Sequence, residues 1–98
     1  MQPRLLLEPE AQADVAEAFA WYETQRVGLG SEFLAEVARV LERIEQLPES
    51  YAVLRGQTRR ALVHRFPYAV FYVLDPDVIG VTAVMHGRRD PRRWHERR

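Results

Sequence analysis

The chain has 98 residues, a hydrophobic share of 47% and an aromatic share of 10%, which fits one packed domain and excludes a disordered chain. It has no cysteine, which excludes a disulfide frame and a thiolate metal site. The net charge is zero, yet residues 1–50 hold 4 Arg against 10 Asp and Glu, a net −6, and residues 51–98 hold 10 Arg against 4, a net +6. A split of this kind points to an acidic or polyanionic partner. Lysine is absent, so every cation is a guanidinium, whose planar fork suits phosphate and carboxylate.

The first element is a short strand, Arg4-Leu5-Leu6-Leu7, set between Pro3 and Pro9. Its three leucines are too few for a signal peptide or a membrane span, so a cytoplasmic setting without membrane contact is expected. Pro9 suits the first turn of a helix. From Glu10 to about Arg26, the apolar residues Ala11, Val15, Ala18, Phe19 and Tyr22 share one helical face. Val27-Gly28-Leu29-Gly30 breaks that pattern, and Ser31 reads as the N-cap of a second helix. Its stripe is Phe33, Leu34, Val37, Val40, Leu41, Ile44 and Leu47, and Pro48 stops it. On this helix, Arg39 and Arg43 read as partners of the neighbouring glutamates.

The second half changes period. Residues 59–65 alternate, with Ala61 and Val63 on one side and Leu62 and His64 on the other. Tyr68 to Leu74 is apolar on both faces, as a central strand is. Asp75-Pro76-Asp77 is a turn, and Val78 to Met85 is a further strand. The predicted class is α+β in the order β-α-α-β-β-β. The helical hairpin would pack on one face of a small, curved, mainly antiparallel sheet of three or four strands. The whole chain, 1–98, reads as a single domain with a basic tail from about residue 87.

The stretches RRALVHRFPYAVFYVLD at 59–75 and VMHGRRDPRRW at 84–94, in this element order and with Trp21-Tyr22 in the first helix, resemble the RelE/ParE toxins of type II toxin–antitoxin systems. The similarity covers nearly the whole chain and looks closer to the ParE branch. It implies a toxin that inhibits DNA gyrase, lacks catalytic activity of its own, and is neutralised by a cognate antitoxin. Operator DNA would be reached only through that antitoxin. An alternative is a RelE-like, metal-independent endonuclease that cuts mRNA on the ribosome. A second alternative is a non-toxic antitoxin-binding or co-repressor module.

The RelE reading needs an acid, a base and cations for the phosphorane. Its candidates are His86, Arg88, Arg60 and Arg65, but the lysines and the C-terminal tyrosine of that branch are missing. Under the ParE reading, Arg59, Arg60, Arg65, Arg88, Arg89, Arg92 and Trp94 form the target or partner surface, gathered along one sheet edge. Trp21 and Tyr22 then belong to the antitoxin groove. No metal site is expected, because His64, His86 and His95 lack ligand spacing, and no cofactor is expected, because no phosphate-binding glycine loop is present.

Overall fold

The computed structural model describes residues 3–87. Strand β1 (Arg4–Leu7) is followed by helices α1 (Pro9–Gln25) and α2 (Leu29–Gln46). Four strands come next: β2 (Val53–Arg55), β3 (Thr58–Leu62), β4 (Tyr68–Leu74) and β5 (Val78–His86). They form one five-stranded sheet in the order β1-β5-β4-β3-β2. β1 runs parallel to β5, and the other pairs are antiparallel. Both helices lie on the face that carries Ala61, Val70, Tyr72, Ile79, Val81 and Val84, and Phe33, Val37 and Ile44 of α2 complete that core. The opposite face carries a smaller cluster of Ala69, Phe71, Ala83 and Met85.

The expected order gains one strand, β2. It has only three residues, all exposed, and pairs Val53 with Arg59 and Arg55 with Thr58. The two-residue turn Gly56-Gln57 joins it to β3, with Gly56 at φ 56, the positive value such hairpin turns require at their first position. The second predicted strand, 59–65, is shorter at its end than expected. β3 ends at Leu62, and Arg65 sits in the following loop at φ 72.

Helix α2 begins two residues before the predicted cap. Gly28 occupies the N-cap position at φ 91, and Ser31 lies exposed in the first turn. The capping acceptor comes from α1: the Glu23 carboxylate takes the N–H of Gly28 at 3.0 Å and of Gly30 at 2.8 Å. A carboxylate there answers both the orphan donors and the dipole of the helix start. Gly30 is the contact point of the hairpin, because a Cβ at that position would lie 2.7 Å from Phe19 Cδ2 and 2.8 Å from the Phe19 carbonyl oxygen.

β5 outruns β1, whose pairing stops at Leu7 opposite Val81. Beyond that point α1 takes over the strand's flank, and Asp14 accepts the N–H of Val84 at 3.0 Å. A register shift lies between Phe71 and Tyr72, which face Ala83 and Val81, and this makes Thr82 the extra residue of a bulge. The bulge moves the helix-facing set of β5 from odd to even numbers: Ile79 and Val81 before it, Val84 after it. In the same alternation, Tyr68 and His86 fall on the helix side of the sheet.

Candidate functional site: a groove between the first helix and the end of the sheet

Four aromatic rings from four parts of the chain meet at one end of the molecule. Tyr22 of α1 lies 5.2 Å from Phe33 of α2, 4.9 Å from Phe66 of the β3–β4 loop and 6.0 Å from Tyr68 of β4, centroid to centroid. Most of these rings meet edge to face, the arrangement the aromatic quadrupole favours. The loop is fastened on both sides. Val63 N–H donates to the Tyr68 carbonyl, and Gly87 N–H donates to the Pro67 carbonyl at 2.8 Å.

Above this floor lies a groove of about 310 Å³, lined by Glu17, Ala18, Trp21, Tyr22, Pro67, Tyr68 and His86. The helical spacing of Glu17, Ala18 and Trp21 places them on the flank of α1 that faces the end of β5, one turn beyond the Asp14 anchor. Tyr22 is 8% exposed and closes the base, whereas Trp21 is 56% exposed and stands at the rim. Their rings meet at 5.1 Å and 77°. The His86 ring lies 5.9 Å from Tyr68 at a steep angle. Burial raises the pKa of the Tyr22 phenol, and the neighbouring Tyr68 phenol raises it further, so the Tyr22 hydroxyl stays uncharged over the ordinary pH range.

The structure thus brings Trp21, Tyr22 and His86 together. It does not bring Arg59, Arg60 and Arg65 to one surface. Arg59 faces the helix side and donates to the Tyr51 carbonyl at 2.6 Å. Arg60, the next residue on a pleated strand, pairs with Phe71 and points to the opposite face, exposed to solvent. Arg65 bonds Glu32 at 2.9 Å and lies over the Phe66 ring at 5.4 Å. The single cationic edge expected from the sequence is therefore not formed by these three. Arg88, Arg89, Arg92 and Trp94 lie outside the described residues.

The endonuclease arrangement meets the same geometry. His86 belongs to the helix side of the sheet and Arg60 to the other side, so the pleat presents them on opposite faces. Arg65 is engaged with Glu32. His64 is exposed in the β3–β4 loop, apart from the groove lining. Among the described residues, no group of three His, Asp or Glu side chains could hold a metal ion. No helix among them is long and apolar enough to cross a membrane. The sequence reading missed Glu17, Ala18, Pro67 and Tyr68 as groove residues. Two signals were present: Glu17 precedes Trp21 by four positions, and Pro67-Tyr68 lies inside the stretch 59–75 that carries the family resemblance.

Residues 5–91 match the family described as ParE toxin of type II toxin-antitoxin system, parDE. The chain belongs to this family of toxins, on the ParE side of the resemblance read from its sequence. Its fold is similar to that of a chain from the chromosomal ParDE TA system of P. aeruginosa. The TM-score is 0.78 at 12% identity, over 87% of this chain and 96% of that one. No protein of curated function matches the sequence.

Proposed function

We propose that this toxin acts by docking on DNA gyrase, without catalytic chemistry of its own, and that a cognate antitoxin neutralises it by occupying the Trp21 groove. The observation that carries the antitoxin part is the groove itself. A large aromatic side chain stands 56% exposed over a preformed aromatic floor, which is the usual form of a partner's anchor site. The gyrase part is supported by family membership and by the separation of His86 from Arg60 across the sheet, which disfavours mRNA cleavage. The contact charge for the target is assigned to Arg60 and to Arg88, Arg89 and Arg92 of the tail, with Trp94 as its apolar anchor. Arg59 and Arg65 serve the fold.

Purified toxin is expected to inhibit gyrase supercoiling in a salt-sensitive manner, because guanidinium contacts are screened as ionic strength rises. Unchanged supercoiling at high toxin excess, together with codon-positioned cuts in translated mRNA, would replace gyrase with the ribosome. Normal growth on induction in a bacterial host would instead favour a non-toxic binding module.

A further inference from the structure

The chemistry of the groove is narrower than that of an apolar slot, and the inference here rests on the reading that an antitoxin occupies it. Its walls are aromatic faces and edges from Trp21, Tyr22 and Tyr68, mutually steep at 77° and 60°. Ala18 and Pro67 supply short apolar surface between them. Among the described residues, Glu17 is the one carboxylate in the lining, and it has no hydrogen-bond or ion-pair partner among them. Among the described residues, no arginine lines the groove, and His86 already has its own contact with Tyr68.

An apolar anchor would leave the Glu17 carboxylate partly desolvated and unpaired, which is unfavourable. A cation on an aliphatic stem meets every wall. The stem lies along Ala18 and Pro67, the charge faces the ring quadrupoles, and the carboxylate closes the pair. A planar guanidinium adds stacking on the indole and a fork for the two carboxylate oxygens, which an ammonium cannot offer. The same chain already stacks a guanidinium on a ring, with Arg65 over Phe66.

We infer that the groove between α1 and the ends of β4 and β5 is an arginine receptor. Its occupant is an arginine side chain carried by the antitoxin segment that docks beside Trp21.

The test uses the full 98-residue chain. Its ¹H–¹⁵N spectrum is titrated with N-acetyl-arginine amide, the neutral isostere N-acetyl-citrulline amide, and N-acetyl-leucine amide. The arginine probe should move the Trp21 indole N–H and the Gly87 amide, with a Kd about five-fold or more below that of citrulline. Glu17→Gln should weaken arginine binding about three-fold while leaving citrulline unchanged. Trp21→Ala should abolish the preference, and Trp21→Phe should retain part of it.

Equal or stronger binding of citrulline or leucine, or no perturbation at Trp21 by any probe, overturns the inference. Co-purification with the protein encoded by the adjacent reading frame separates the two readings. Loss of that protein from Trp21→Ala, combined with no arginine preference, leaves the groove as an apolar docking site. Retention of it, combined with a clear arginine preference, overturns the antitoxin as the source of the arginine. Tighter probe binding in a chain carrying Arg88→Ala and Arg89→Ala would identify the chain's own tail as the occupant, which also overturns that source.

Discussion

Tyr72 shows how one buried hydroxyl ties the sheet to the loop after α2. Its ring is fully buried, and its hydroxyl donates to the Pro48 carbonyl at 2.6 Å. Burial pushes its pKa up to about 12, against the opposing pull of the Arg59 guanidinium. The folded value lies above the ordinary 10.0, so the stabilisation is complete below pH 10 and is lost as pH rises towards 12. Tyr72→Phe keeps the ring and removes the donor. The expected cost is about 1 kcal/mol in urea denaturation at neutral pH, with a flatter loss of stability at alkaline pH. An unchanged alkaline slope would assign that titration elsewhere.

Glu32 has the opposite sign. Hydrogen bonds from Arg65 and then Arg26 hold its carboxyl below the ordinary 4.5. Stability from these contacts is therefore present above pH 4.5 and disappears as pH falls through the depressed folded value. Both partners are solvent-exposed, so the effect on overall stability at neutral pH is small. The local effect is larger, because Arg65 holds a positive φ that non-glycine residues rarely adopt. Glu32→Gln should loosen the β3–β4 loop, seen as faster hydrogen exchange at the Val63 amide, and should remove the acid-side dependence of that exchange.

At the scale of elements, the helical hairpin is fixed by two residues that propensity alone undervalues. Gly30 lets the backbone of α2 approach Phe19, and Glu23 caps α2 from the neighbouring helix. Gly30→Ala places a methyl group 2.8 Å from a backbone oxygen that cannot rotate away, so it should destabilise by about 1–3 kcal/mol despite the better helix propensity of alanine. A rise in thermal midpoint would refute the close approach. This contact also explains a difference from the sequence reading. A capping serine three residues into a glycine-rich stretch looks like a helix start, but the true cap is a carboxylate from the last turns of the preceding helix, outside the usual capping positions. The amphipathic stripes of α1 and α2, the strand at 68–74 and the turn at 75–77 were legible because periodicity and turn chemistry are local. β2 was not: three exposed residues carry no period, and only the Gly56-Gln57 turn marked it. The bulge at Thr82 was also hidden, because it changes the face of β5 residues without changing their composition.

At the scale of the whole molecule, the proposed function puts partner docking and target contact on different parts of the chain. Trp21 and Tyr22 stood out in the sequence because an aromatic pair stands where a helical stripe needs only one member, and the structure places both in the lining of one groove. The arginines of β3 were not legible as a group, since adjacent strand residues face opposite ways and a loop arginine can be claimed by a distant glutamate. The proposed layout would make neutralisation and toxicity separable. Trp21 is mostly exposed, so Trp21→Ala forfeits only its edge contact with Tyr22, about 0.5–1.5 kcal/mol, and the chain should stay folded. Such a variant should still inhibit gyrase and arrest growth, but co-expressed antitoxin should no longer rescue the cells. A combined Arg88→Ala, Arg89→Ala and Arg92→Ala chain should do the reverse, co-purifying with antitoxin while losing gyrase inhibition and its salt sensitivity. Growth assays with and without antitoxin, scored beside supercoiling, check both arms. If Trp21→Ala lost toxicity and rescue together, one surface would serve both partners, and the antitoxin would act by direct competition with the target.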